Sequence, residues 1–399
     1  MCLSKKDIET IDRAQSEVNE ASFDQNWLVY GPAGTGKTIL ALNRVERMTR
    51  MLPEETTLFV SKSKVLGRWV EQAADELGIS SKIATFDRYI WNLVKNTIGQ
   101  DPVKTDPSAT WSEIDWEATI PLLKAVHQNN PNLGRINLVL DEAQDVRLGF
   151  FSACEFMFKR LFILMDENQK TEVFANSKRS DIVRLLQIDG KHQKLLHINY
   201  RNPLEIKKLS ETFFDGEAGE LASVPDAKDR RNLEAPPVIR WLPLSDEKSS
   251  MDQVGRIVSY CKDSPAATVC VVVPNSNRVK FMSRLLEERA LTDERIKRLT
   301  NWSVRSYVSE TFSRVTLDMC SPGVIVSSSI NFKGSEFNSV FFVEWEQSVE
   351  KPASMYTAIT RARGRIEVLA DVSESSKSQI RIQFEQALGE NLIAEVALS

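Results

Sequence analysis

At 399 residues the chain is longer than one hydrophobic core usually organises, so two domains of ordinary size are expected. Hydrophobic residues make up 42% and charged residues 27%, with 16 glycines and 15 prolines, which excludes a collagenous or broadly disordered chain. The net charge of −4 does not advertise a polyanion partner, though a local basic groove is compatible with it.

In chain order, the opening MCLSKKDIETID turns acidic before any apolar core develops, so no signal peptide is expected. The first buried strand is expected at WLVY, 27–30, followed by a glycine-rich turn and a helix from Thr38 to Met51. LFV at 58–60 is the second apolar run. Residues 98–134, with Pro102, Pro107, Pro121 and Pro131 around Trp111 and Trp116, read as a small insertion. INLVL at 136–140 and LFILM at 161–165 complete the first set of strands. The stretch 214–238 is charged, holds Gly and Pro and has no apolar period, so it reads as a hinge. A second set follows at 269–273, 324–326, 340–343 and 366–370, with a helix from Val279 to Arg289. Strands of this kind, alternating with helices, point to α/β architecture with parallel sheets, in domains 1–225 and 226–399. No apolar run approaches the ~18 residues of a membrane span. Cys2, Cys154, Cys261, Cys270 and Cys320 are scattered, which fits reduced thiols in a cytoplasmic protein better than a zinc site.

The strongest motif is Gly31-Pro32-Ala33-Gly34-Thr35-Gly36-Lys37-Thr38, between the first strand and the first helix. It fits G-x-x-x-x-G-K-[ST]: backbone N–H groups wrap phosphates, Lys37 reaches the β/γ-phosphates, and the Thr38 hydroxyl ligates Mg²⁺. The bland alternative is a glycine turn with a surface lysine. The strand at 136–140 ends in Asp141-Glu142, which supplies a carboxylate for the metal (Asp141) and one to orient the attacking water (Glu142). A solvated strand end is the alternative there.

With Asp141-Glu142-Ala143-Gln144-Asp145 the sequence resembles the UvrD/Rep-like branch of superfamily 1 helicases, in a short form, and the likeness runs in order along almost the whole chain. It implies two RecA-like domains with ATP and Mg²⁺ in the cleft between them. Gln15 stands where the family's Q motif contacts adenine, and Gln169, in Asp166-Glu-Asn-Gln169, where a glutamine senses the γ-phosphate. Asn199-Tyr200-Arg201 matches Asn-Tyr-Arg, implying that Tyr200 stacks on adenine and Arg201 reaches the γ-phosphate. Lys333-Gly334-Ser-Glu336-Phe resembles the motif that places Glu336 at the ribose. Tyr356-Thr-Ala-Ile-Thr360-Arg361-Ala-Arg363 is close to the last motif, whose first arginine, Arg361, is the expected finger on the γ-phosphate. The implied track is single-stranded DNA, with RNA possible, and Lys62, Lys64 and Thr85 are its candidate contacts; Arg68 is a further basic residue beside them.

The chain also departs from the family. The intervals around the Asp-Glu pair and before Lys333 are too short for the large accessory insertions, so the expectation is a motor that works with a protein partner, such as a nuclease or specificity subunit, in DNA repair or anti-phage defence. Asp87 replaces a histidine and sets an anion beside a phosphate backbone. Asn331 replaces another histidine, and Ile39 stands where many relatives have arginine. The stacking aromatics are missing after Gln169, with Phe174 and Trp91 as candidate substitutes, each better read as core. A second reading follows from these changes, an ATP-gated switch or scaffold subunit without processive unwinding.

Overall fold

The structure is a computed structural model and describes residues 13–61, 70–71, 74–75, 77–79, 83–106, 114–169, 177–214, 223, 232–242, 247–308, 318–319, 321–345, 352–371 and 379–396. The chain forms two compact units, one within Leu3–His197 and the other from Ile198 onward.

The N-terminal unit runs α1 (Arg13–Glu20), β1 (Trp27–Tyr30), α2 (Lys37–Met51), β2 (Thr56–Ser61), β3 (Ile83–Thr85), α3 (Phe86–Ile98), α4 (Trp116–Asn129), β4 (Ile136–Asp141), α5 (Leu148–Met157), β5 (Arg160–Met165), α6 (Arg179–Leu185) and β6 (Gln193–Leu195). Its sheet has the order β3-β2-β4-β5-β1-β6, and every pairing is parallel. Parallel neighbours need crossovers, which the helices provide. Because β1, β5 and β4 are adjacent, the loops that leave their carboxyl ends open on one edge, where α/β sheets bind ligands.

The region read as an insertion is part of the first core. Ile114, Trp116, Leu123, Val126 and Leu133 are buried in the cluster that holds Phe86 and Phe150. Phe150 meets Phe86 edge-on at 4.7 Å between ring centroids and Trp116 at 5.4 Å. Asp115 caps α4 by accepting a hydrogen bond from the Ala118 amide, so a helix starts inside what composition alone presents as loop.

The C-terminal unit contains α7 (Leu204–Glu211), β7 (Val238–Leu242), α8 (Glu247–Asp263), β8 (Thr268–Val273), α9 (Ser276–Thr292), α10 (Glu294–Lys297), β9 (Ser303–Ser306), β10 (Gly323–Ser328), β11 (Phe337–Trp345), α11 (Pro352–Ile359), β12 (Ala362–Asp371), α12 (Gln379–Gly389) and β13 (Ala394–Glu395). The sheet order is β13-β7-β12-β11-β8-β10-β9, again parallel throughout. β8 is buried at every residue, and its Val269, Val271 and Val273 pack with Ile257, Met282 and Leu286 from α8 and α9.

The units part between His197 and Ile198, ahead of the hinge read at 214–238. The cause is local: Asn202 Nδ2 donates to the carbonyls of Thr360 (3.1 Å) and Ala362 (2.7 Å), and the Asn199 amide donates to the Ser223 carbonyl. These bonds tie Asn199-Tyr200-Arg201 to the second unit. Among the described residues no helix is long and apolar enough to cross a membrane. Cys154, Cys261 and Cys270 are free and buried, and burial raises all three thiols above their ordinary range.

Candidate functional site

The glycine-rich turn leaves β1 and enters α2 with its backbone drawn inward. A Cβ at Gly31 would lie 2.0 Å from the Leu196 carbonyl oxygen, because the chain leaving β6 donates its Leu196 amide to Tyr30 and crosses there. Gly36 sits at φ 80°, and a Cβ on it would come within 2.3 Å of Gln15 Nε2. Gln15 is buried and donates from that nitrogen to the Thr35 carbonyl at 2.8 Å. Thr35 Oγ1 in turn donates to the Pro32 carbonyl, and Pro32, Ala33 and Gly34 are all buried. No side chain caps α2, so its first amides remain for an anion.

Lys37 Nζ donates to the carbonyls of Gly31 (2.7 Å) and Pro32 (2.8 Å) and pairs with Asp166 Oδ2 at 3.4 Å. Asp166 also accepts from Gln169 Nε2 at 2.8 Å. One carboxylate at the end of β5 therefore joins the loop lysine to the glutamine of the next motif.

At the end of β4, Asp141 Oδ2 accepts the Thr38 hydroxyl at 2.7 Å, and Oδ1 accepts the Glu142 amide at 2.9 Å. Glu142 has φ 56° and ψ 41°, a left-handed conformation uncommon for a side-chain-bearing residue and found at constrained sites. Its Oε2 accepts Gln144 Nε2 at 2.5 Å, while Gln144 Oε1 accepts the Asp166 amide at 3.0 Å. Gln144 thus fixes Glu142 against the neighbouring strand. Burial, with the Glu142 charge beside it, raises Asp141 to about 7, opposed by the Thr38 hydroxyl and Lys37. Two hard oxygens, from Thr38 and Asp141, fit Mg²⁺, which takes its remaining ligands from phosphates and water in sites of this type.

The second-unit residues are tied to one another. Arg201 Nε donates to Glu336 Oε1 at 2.7 Å, and Arg363 Nε lies 3.4 Å from Glu336 Oε2. Gly334, at φ 83°, precedes this carboxylate, and Tyr200 is half-buried beside Arg201. Arg361 is 1% exposed. Its guanidinium donates to the carbonyls of Thr357 (2.9 Å) and Ser335 (3.4 Å) and to Thr360 Oγ1 (3.2 Å).

Lys62, Lys64, Arg68 and Phe174 lie outside the described residues. Thr85 ends β3, immediately before α3, and Asp87 is in the first turn of that helix. Trp91 is half-buried on α3. Asn331 Nδ2 donates to the hydroxyls of Ser327 and Ser328, a local role.

Three contributors carry no role in the sequence reading: Asp166 as the partner of Lys37, Gln144 as the brace of Glu142, and Arg363 as the second cation on Glu336. Asp166 does end an apolar strand next to the P-loop strand, but that adjacency is visible only once the sheet order is known.

Residues 14–175 match a family model described as an AAA domain, a span that includes Gln15, the glycine-rich turn, Asp141, Glu142 and Gln169. Comparison with curated proteins returned no match. Two all-parallel α/β units, the first similar to an AAA domain over residues 14–175 and carrying a P-loop with its acidic partners, make this a P-loop NTPase fold.

Proposed function

We propose that the chain is an ATP- and Mg²⁺-dependent superfamily 1 motor of the UvrD-like kind, acting on single-stranded nucleic acid, DNA before RNA. One observation carries the reading: Lys37, the Thr38–Asp141 pair and Glu142 converge at the carboxyl ends of β1 and β4, the two strands that flank β5, with Glu142 braced by Gln144. Thr38 and Asp141 would hold Mg²⁺, which would supply charge neutralisation on the phosphates. Lys37 exchanges its two loop carbonyls for phosphate oxygens. Glu142 orients the attacking water and accepts its proton. Gln15 reads the adenine edge, and Tyr200 stacks on the ring. Arg201 and Arg361 answer the charge that develops on the transferred phosphoryl group. For Arg361 this requires release from the Thr357, Ser335 and Thr360 oxygens that hold it, so its engagement is a conformational step. With the accessory insertions missing, a nuclease or specificity partner in DNA repair or phage defence would supply grip.

The test is strand displacement on a duplex with a 3′ single-stranded tail, with and without ATP and in cell extract as a source of partner. ATP-dependent displacement is the expected result; none under any of these conditions removes the helicase reading. A second reading, an ATP-gated switch that holds or releases a protein, draws on Asp87, an anion two residues after Thr85 in the candidate track. ATP hydrolysis indifferent to nucleic acid, with nucleotide-dependent capture of a partner, would favour it.

A further inference from the structure

The P-loop helix carries a second cation, two turns after Lys37, that the ATP chemistry does not use. Arg44 is 1% exposed, and its guanidinium lies 4.3 Å from the Phe23 ring centroid and 5.1 Å from that of Phe162. Its partners are all backbone carbonyls at the end of α1 and in the turn that follows. Nη1 donates to Val18 (3.3 Å), Asn19 (2.8 Å) and Ala21 (2.8 Å), and Nη2 donates to Ser22 (3.0 Å). The last carbonyls of a helix have no partner of their own and carry its negative end, so a buried guanidinium there satisfies both deficits. Besides this end and Gln15, α1 is held by the burial of Val18 and by an exposed pair of Glu17 with Lys194, itself a weak anchor. An eight-residue helix is too short to persist without tertiary support.

Gln15 stands on that helix one turn before Val18, with its amide against Gly36 and the Thr35 carbonyl. From this arrangement we infer that Arg44 is a positioning residue for base recognition: it clamps the helix that carries Gln15 to the helix that carries Lys37. The inference rests on the reading of Gln15 as the adenine contact. The phosphates meet the loop and Lys37 directly, whereas the base is read by a side chain whose helix is held through Arg44. Loosening the clamp therefore costs base recognition and spares phosphate binding. Burial lowers the Arg44 pKa to about 10, so the clamp stays charged at neutral pH.

The experiment is a titration of the full chain with ATP, GTP and inorganic tripolyphosphate, with Mg²⁺, for the unaltered protein, Gln15→Ala, Arg44→Gln, Arg44→Lys and the Gln15→Ala/Arg44→Gln pair. Arg44→Gln should weaken ATP by about tenfold, erase the preference for ATP over GTP, and leave tripolyphosphate within about twofold. The pair should bind ATP no more weakly than Gln15→Ala, since both changes break one linkage. Arg44→Lys keeps the charge and most of the volume but cannot bond four carbonyls, so it should show a smaller loss of the same kind. Should Arg44→Gln not fold, Arg44→Lys decides: unchanged ATP preference overturns the inference. Equal weakening of ATP and tripolyphosphate also overturns it, because a general loss of loop structure then explains the effect. An unaltered protein that prefers ATP to neither competitor, with Gln15→Ala silent, removes the adenine reading and Arg44 with it.

Discussion

Asp141 in the first unit and Glu367 in the second are both buried carboxylates, and their environments push them in opposite directions. Asp141 is raised to about 7 by its burial first and by the facing Glu142 carboxylate second. Glu367 is fully buried, and burial alone would raise it. Three arginines reverse the sign: Arg256 at 2.7 Å, Arg240 at 2.9 Å and Arg365 at 3.0 Å, which together hold it below its ordinary range. Burial pushes both carboxylates upward, and the neighbouring charges decide whether that push stands or is reversed. A carboxylate left short of positive charge at a loop edge is poised for a cation from outside, and one saturated by arginines is a fixed part of the fold.

The largest effect expected on this contrast is in turnover. Lys37→Ala and Glu142→Gln should each lower ATP hydrolysis by at least a hundredfold, roughly the cost of deleting a preorganised catalytic group. A steady-state assay at saturating ATP checks both, and an active Glu142→Gln would move the water-orienting role elsewhere. On the other side of the comparison, Glu367→Gln should leave three arginines short of charge and destabilise the second unit by about 3 kcal/mol. Urea unfolding followed by tryptophan fluorescence reads this. The same pair of environments predicts a pH dependence. Glu367, depressed below its ordinary 4.5, contributes stability that is full above that value and is lost as pH falls through its folded pKa.

Smaller effects sharpen the contrast. Gln144→Ala should lower kcat by roughly tenfold with little change in ATP affinity, since it frees Glu142 without touching the loop. Asp141→Asn should abolish Mg²⁺-dependent hydrolysis yet stabilise the chelator-treated protein above pH 7, by on the order of 1 kcal/mol. The sign follows from the raised pKa: without a divalent cation, ionising Asp141 costs folding stability as pH climbs from 3.8 to about 7. A Tm lower than that of the unaltered protein would mean that Asp141 is already compensated.

Much of this was legible in the sequence, and the divide follows position in the sheets. The eight apolar runs correspond to β1, β2, β4, β5, β8, β10, β11 and β12, strands covered on both faces that must be continuously apolar. β3, β6, β9 and β13 escaped notice because they are edge strands, short and half-exposed. β7 is hidden at the end of the stretch read as hinge. The loop Gly31–Thr38 and Asp141–Glu142 stand out in the sequence because a P-loop pattern fixes residue type at set spacing. The Lys37–Asp166 pair and the Gln144 brace were not, since they depend on which strands become neighbours. The unit boundary at His197 was hidden for the same reason: Asn202 reaches residues some 160 positions onward. Arg361 could be named from its motif, but its enclosure by Thr357, Ser335 and Thr360 could not.

The most direct measurement is ATP hydrolysis by the full chain with Mg²⁺, with and without single-stranded DNA, beside Lys37→Ala and Glu142→Gln. Turnover by the unaltered chain alone is expected, raised severalfold by DNA and lost in both variants. Turnover that survives either substitution, or a rate unmoved by DNA and RNA alike, would contradict the motor reading.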